Sequence, residues 1–285
     1  MSRISYVNGR YVAHRDAMVH VEDRGYQFAD GVYEVCQVRG GRLVDEERHL
    51  QRLVRSLSEL RIALPMTLAA LGVVLRETIR RNRVRDGLVY LQVTRGVARR
   101  DFLFPAPETR PSVVVSARNI DEAKVDRSAG EGIAVVTVPD NRWERVDIKS
   151  VSLLPNVLAK EAARAAGARE AWFVDKDGFV TEGGSSNAWI VTRDGTLVTR
   201  SADFGILRGV TRGVVLSVIA AQNLAFEERQ FSVEEAYGAR EAFVTSASQT
   251  VMPVVAIDGR PVGNGAPGLV ATALRRDFPD YAKVG

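Results

Sequence analysis

Apolar and polar positions alternate at the start of the chain, and glycine-bearing pairs punctuate them. Ile4-Ser5-Tyr6-Val7 and Arg10-Tyr11-Val12 flank Asn8-Gly9, a pair suited to a two-residue hairpin turn. Residues 32–39 and 42–44 flank Gly40-Gly41 in the same way. The period then changes. Leu50, Leu53, Val54, Leu57 and Leu60 recur at helical spacing, and Pro65 separates that helix from a second one predicted over 68–83. Strands follow at 87–95 and 111–118, which makes the first region an α+β unit around a mainly antiparallel sheet. Residues 119–130 are polar and poor in apolar side chains (Asn119, Asp121, Glu122, Lys124, Asp126, Arg127, Ser128) and read as an interdomain linker. The pattern thus predicts a small domain over 1–118, a linker over 119–130 and a large domain over 131–285. In the large domain, strands are expected at 133–138, 170–174, 188–192, 197–199, 241–245 and 254–258. Helices are expected at 156–166, 211–222 and 267–278. No internal repeat and no low-complexity segment interrupts the pattern.

Composition narrows the class. A chain of 285 residues, 46% hydrophobic, can bury a full core as one large domain or two unequal ones. Its 39 Lys and Arg are interleaved with 35 Asp and Glu, and no nucleic-acid-binding motif gathers them. The net charge of +4 fits a field that attracts anionic substrates better than a nucleic-acid surface. Cys36 is the single cysteine, so an internal disulfide is impossible. His14, His20 and His49 lack metal-ligand spacing. Met1-Ser2-Arg3-Ile4 lacks the apolar core of a signal peptide, and no run is apolar enough to span a membrane. A cytoplasmic enzyme without metal, nucleic acid or membrane partner is the expectation.

The candidate chemistry lies in scattered positions. Lys149, in Val146-Asp147-Ile148-Lys149-Ser150-Val151, reads as part of an extended run. It is either an exposed strand lysine or an amine kept sufficiently desolvated to react as a nucleophile. Glu182 precedes Gly183-Gly184-Ser185-Ser186-Asn187, either a hairpin corner or a carboxylate beside a backbone that a ligand can approach. Gly209-Val210-Thr211 opens an apolar helix, whose first N–H groups are either capped or available to a phosphate. Thr245-Ser246-Ala247-Ser248 is a second hydroxyl- and amide-rich corner. Taken alone, Arg52 is a solvated arginine on the polar side of its helix. Tyr33 is core or site lining. Arg99-Arg100-Asp101 is a solvated cluster or an anion trap. Amine, carboxylate and helix start are together the parts that hold pyridoxal 5′-phosphate (PLP).

The order and wording of seven segments carry a resemblance. They are Asp23-Arg24-Gly25-Tyr26-Gln27-Phe28, Asp30-Gly31-Val32-Tyr33-Glu34, His49-Leu50-Gln51-Arg52-Leu53, Gln92-Val93-Thr94-Arg95-Gly96, Asp147-Ile148-Lys149-Ser150, Glu182-Gly183 with Ser185-Ser186-Asn187, and Leu207-Arg208-Gly209-Val210-Thr211-Arg212. Over nearly its whole length the chain closely resembles the class IV, fold type IV (branched-chain-like) PLP-dependent aminotransferases. Within them it is most similar to the D-amino-acid aminotransferases. The resemblance implies a two-domain α+β fold, with a smaller α/β N-terminal domain and a larger C-terminal domain built on a β-barrel-like core. It implies that Lys149 carries PLP as a Schiff base and that Glu182 meets the ring nitrogen. Arg52, Val210, Thr211, Ser246 and Ala247 would hold the phosphate, and Leu207 would pack on the ring. Tyr33 and Arg100 would bind the substrate carboxylate. It also implies a homodimer whose arginine loop serves the neighbouring chain. The expected reaction is ping-pong transamination, D-alanine and 2-oxoglutarate giving pyruvate and D-glutamate.

Two positions depart from that pattern. Arg100-Asp101-Phe102 stands where the relatives carry Arg-x-His, and Ala247 stands where a hydroxyl residue often meets the phosphate. Other scopes therefore stay open: branched-chain L-amino acids, (R)-amines, or lyase chemistry like that of aminodeoxychorismate lyase.

Overall fold

The Asn8-Gly9 hairpin forms as the pattern predicts, between β1 (Ile4–Val7) and β2 (Arg10–Ala13). Both turn residues take positive φ, 45° and 93°, the conformation such a tight turn requires. The computed structural model describes residues 3–203 and 205–285; Met1 and Ser2, which open the segment read above for a signal peptide, and Phe204 lie outside the described residues. The chain divides into two compact units.

The first unit holds β1, β2, α1 (Arg24–Phe28), β3 (Gly31–Arg39), β4 (Arg42–Leu43), α2 (Glu46–Glu59), α3 (Leu68–Asn82), β5 (Gly87–Thr94) and β6 (Ser112–Asn119). Its six strands run β2-β1-β6-β5-β3-β4, and every pair is antiparallel. Leu50, Leu53 and Leu57 of α2 and Leu71, Leu75 and Ile79 of α3 bury their apolar stripes against Val32, Val38, Leu91 and Val115 of the sheet. On β3 the even positions Val32, Glu34, Cys36 and Val38 are all buried, so Glu34 is a carboxylate in an otherwise apolar row.

The second unit holds α4 (Glu122–Glu131, whose first residue marks the boundary), β7 (Ile133–Pro139), α5 (Leu154–Ala165), β8 (Glu170–Val174), β9 (Val180–Gly183), β10 (Asn187–Val191), β11 (Leu197–Thr199), α6 (Val210–Ala221), β12 (Phe226–Glu228), α7 (Val233–Tyr237), β13 (Glu241–Ser246), β14 (Thr250–Ile257), β15 (Arg260–Pro261) and α8 (Leu269–Tyr281). The strand order is β12-β11-β10-β13-β14-β7-β8-β9, with β15 on β14. The sheet curls until β9 lies beside β10, which is the barrel-like core. Trp172, Ile190, Phe231, Val244 and Met252 fill one face. α6 and α8 cover Trp189 and Phe243 on the other with Val214, Val215, Val218, Leu274 and Phe278.

Two expectations need correction. Residues 119–130 are not an irregular linker: the boundary between the units falls within them, after Glu122, but β6 runs to Asn119 and α4 occupies most of the remainder. Only Ser128 and Ala129 of α4 are buried, with Val125 packed beside them, so its apolar stripe is too thin to show against so many polar residues. The domain boundaries also differ from those of the pattern. Residues 148–152 and 283–285 belong to the first unit, along with residues 1–122. Residues 149–151 add to the sheet beside the start of β3, which β4 leaves unpaired: Tyr33 N donates to Lys149 O at 3.0 Å, and Val151 N donates to Gly31 O at 3.0 Å. Pairing across so long a stretch of sequence leaves no local pattern to read.

Candidate active site

In the first unit the structure brings Lys149, Tyr33 and Arg52 into one neighbourhood. The Lys149 backbone is held on both sides, by Tyr33 N at its carbonyl and by the buried Ser56 hydroxyl, which accepts from Lys149 N at 3.2 Å. Its Nζ lies 4.2 Å from the centre of the Tyr33 ring, a cation–π distance. Tyr33 is itself stacked on Tyr90 at 5.7 Å, and the Tyr90 hydroxyl donates to Gln92 Oε1 at 2.6 Å. Burial and the neighbouring Tyr33 push the Tyr90 phenol up to about 12, so it stays a neutral donor.

Arg52 is not the solvated arginine its helix position suggests. Its Nε and Nη2 fork onto the two oxygens of Glu34, each at 2.8 Å, and His49 Nδ1 lies 2.8 Å from Glu34 Oε2. Burial alone raises the Glu34 carboxyl. The Arg52 charge and the hydrogen bonds from Arg52 and His49 outweigh it and hold the group at about 2. Burial, the largest influence on His49, lowers its pKa against the pull of Glu34. Glu34 therefore stays an anion and fixes the guanidinium plane.

Arg100 stands apart. It is exposed and stacked over Phe28 at 4.6 Å, and among the described residues no hydrogen bond or ring contact joins it to Tyr33 or Lys149. Asp101 turns its carboxylate onto its own loop, accepting from Leu103 N at 3.0 Å, and its carbonyl accepts from Arg24 Nη1 at 2.7 Å. Phe102 is 85% exposed, with its ring 5.6 Å from that of Phe28.

In the second unit Glu182 is a strand residue of β9, not the corner residue the Gly-Gly run suggests, and it is buried. Its Oε2 accepts from Asn187 Nδ2 at 3.0 Å and from Leu207 N at 3.1 Å. Its Oε1 accepts from Arg142 Nη1 at 2.5 Å. Asn187 also donates to Leu207 O at 2.9 Å, which ties the approach to α6 to the first residue of β10. The following corner is crowded: a Cβ on Gly183 would sit 2.2 Å from Ser186 Oγ, and one on Gly209 would sit 2.1 Å from Asn187 Oδ1. Ser185 and Ser186 both donate to the buried Glu170, at 3.0 and 3.1 Å.

α6 starts at that end of the sheet. Its N-cap is Gly209, without a side-chain cap, and the first intrahelical bond runs from Gly213 N to Gly209 O. The N–H groups of Val210, Thr211 and Arg212 thus precede the helical ladder and carry the positive end of the helix dipole. β10 and β13 pair Asn187 with Thr245, so the Ser246-Ala247 corner lies at the same end. Glu182, Leu207, Val210, Thr211, Ser246 and Ala247 therefore lie toward one end of the second unit's sheet.

Glu34, His49, Ser56, Asn187 and Arg142 escaped the sequence reading as site residues. Glu34 was legible as a charge in an apolar row. Arg142 carried no such sign: it lies in the irregular segment after β7, and only the folded chain shows it paired with Asp140 and Glu182.

The donors present suit PLP. The first unit offers an amine on an aromatic face and an oriented guanidinium. The second offers a buried carboxylate, uncapped helix N–H groups and glycines where the backbone must be approached closely. Fold and site together define a two-domain α+β enzyme of fold type IV that uses PLP. The chain belongs to the amino-transferase class IV family, whose model matches residues 31–257. It is 40% identical over 276 residues to a D-alanine aminotransferase of Staphylococcus haemolyticus, covering 97% of this chain and 96% of the relative. It is 41% identical over 275 residues to that of Bacillus licheniformis, covering 95% of each. Among solved structures, the branched-chain amino acid aminotransferase of Escherichia coli superposes with a TM-score of 0.89 at 24% identity, over 98% of this chain and 94% of that one; it speaks to the fold alone. A branched-chain amino acid aminotransferase of T.th. with pyridoxamine 5′-phosphate gives 0.88 at 25% identity, with the same coverage. PLP-dependent transamination between amino acids and 2-oxo acids is the activity of this family.

Proposed function

We propose that the enzyme transaminates D-amino acids, converting D-alanine and 2-oxoglutarate to pyruvate and D-glutamate by a ping-pong mechanism. The observation that carries the D-specific reading is the near-full-length likeness to D-alanine aminotransferases. Lys149 is the Schiff-base lysine, and Glu182 pairs with the ring nitrogen. Arg52, Val210, Thr211 and the Ser246-Ala247 corner take the phosphate, where Ala247 contributes its backbone N–H alone. Leu207 packs on the ring. Tyr33 and Arg100 bind the substrate carboxylate. In this reading the Arg100 loop serves the site of a second copy in a homodimer.

When bound, PLP supplies an electrophilic carbon that takes up the amino group and a cationic ring that accepts the electron pair left at Cα. The chain moves the proton. With the cofactor bound, Lys149 Nζ would serve as the base. It would take the substrate Cα proton and deliver it to the cofactor carbon on the far side of the amino nitrogen, a transfer worth about 10²- to 10⁴-fold when well placed. Ser56 and Tyr33 fix the Lys149 backbone, so only the side chain swings. Arg52, oriented by Glu34, meets a dianionic phosphate with a planar donor edge.

The test is an absorbance spectrum of the purified holoenzyme with D-alanine and, separately, L-alanine. The visible cofactor band should fall with D-alanine only and return on adding 2-oxoglutarate. Lys149→Ala should abolish both the band and turnover. A response to L-alanine or L-leucine alone, or to an (R)-amine, assigns the other scopes. Pyruvate release without loss of the band assigns lyase chemistry.

A further inference from the structure

Arg142 lies behind Glu182, on the segment that follows β7. Its side chain is 5% exposed, with polar partners along its edge and an aromatic ring on its face. Nε and Nη2 fork onto Asp140 at 2.9 and 2.7 Å, and Nη2 also lies 3.3 Å from Thr181 Oγ1. Thr181 in turn donates to Asp140 Oδ2 at 2.7 Å. The Phe173 ring stacks on the guanidinium at 4.3 Å. With the plane held by Asp140 and Phe173, Nη1 is aimed at Glu182 Oε1, 2.5 Å away.

The orientation decides where a proton rests. A buried carboxylate facing a pyridine nitrogen shares one proton with it, and burial favours the neutral acid. A guanidinium in contact with the carboxylate opposes that preference, because the anion is then paired. Asp140 keeps the guanidinium in place. Burial pushes the Asp140 carboxyl up, but Arg142 outweighs it and holds it below its ordinary value, so the supporting anion persists.

We propose that Arg142 is a positioning residue that biases the proton shared by Glu182 and the cofactor ring toward the ring nitrogen. It touches neither substrate nor cofactor and acts through Glu182. The proposal rests on the reading of Glu182 as the ring-nitrogen partner. The arrangement Asp140–Arg142–Glu182 is thus a three-residue relay of fixed charge whose output is a cationic ring.

The test reads the ring nitrogen directly. Holoenzyme reconstituted with ring-¹⁵N-labelled PLP is observed by nitrogen NMR for wild type, Arg142→Met, Asp140→Asn/Arg142→Met and Glu182→Gln. The paired substitution removes the orphaned Asp140 charge and so keeps a folded variant available. The expected result is a protonated ring signal in wild type, moved toward the unprotonated position in both Arg142 variants. The PLP dissociation constant should rise about tenfold, a coupling common for charged groups in contact. In Arg142→Met/Glu182→Gln the dissociation constant should match that of Glu182→Gln alone, because the two act in series. An unchanged ring signal in the Arg142 variants, beside a changed one in Glu182→Gln, overturns the role of Arg142 and leaves Glu182 standing. An unchanged signal in Glu182→Gln overturns the reading of Glu182 and this inference with it.

Discussion

Phe102 is the residue whose change should tell most about scope. The family resemblance implies a histidine at this position, two after the proposed carboxylate-binding Arg100, and Phe102 leaves an exposed ring there. An imidazole would restore a donor for the substrate carboxylate. A hydrogen bond to a charged group contributes about 1.5–3 kcal/mol, so Phe102→His should lower the KM for D-alanine about tenfold with kcat little changed. Steady-state kinetics on D-alanine and D-glutamate would show it, and an unmoved KM would place the carboxylate elsewhere. At this scale the sequence was uneven. Lys149 and Glu182 stood out as candidates because glycines, serines and a fixed order of segments surround them. Glu34 was given no role from the sequence, because its meaning depends on Arg52 and His49 one helix away. Arg52 in isolation pointed the wrong way, since helix spacing shows which face is apolar but not that a polar side chain on its flank is buried against a carboxylate.

At the level of elements, the start of α6 is where geometry is tightest. Gly209 has an ordinary φ of −62°, so its glycine is required by space and not by backbone conformation. An added Cβ would press on Asn187 Oδ1, the residue that joins Glu182 to Leu207. Gly209→Ala should displace Leu207 and the first turn of α6 and raise the PLP dissociation constant about tenfold or more, with the thermal midpoint lowered far less. Fluorescence titration of the apoenzyme with PLP gives the first quantity, and an unchanged affinity would mean the helix start tolerates the shift. The elements best read from the pattern were those with local signals: the Asn8-Gly9 and Gly40-Gly41 hairpins, and the leucine stripe of α2. α4 and β9 were missed for opposite reasons. α4 is nearly all polar surface, and β9 is four residues ending in a glycine that looks like a turn.

Across the whole molecule, acid should be the destabilising direction. Glu34 is held at about 2 against an ordinary 4.5, so its contribution is complete above about 4.5 and is lost as pH falls toward 2. That loss is on the order of 3 kcal/mol. His49 is lowered chiefly by burial, so the unfolded chain takes up its proton first and stability begins to fall below the ordinary value of 6.5. Asp140 and Asp175 lean the same way; each is raised by burial and lowered further by its arginine, Arg142 and Arg200. Urea midpoints should therefore decrease from pH 8 to 6 to 4, and a midpoint that rises along that series would contradict the burial of these pairs.

The threading of the chain has a bearing on how such enzymes can exchange parts. The first unit is built from three stretches, residues 1–122, 148–152 and 283–285, and the final stretch is bonded in place, Asp45 N to Lys283 O at 2.7 Å and Gly285 N to Leu43 O at 3.1 Å. A chimera that swaps the second unit between two relatives at a single crossover would carry a foreign lysine strand and a foreign C-terminal strap into the wrong sheet. Four junctions, after residues 122, 147, 152 and 282, are needed to keep each unit's own pieces together. Lys149 is then inherited with α2 and Tyr33, whatever second unit is supplied.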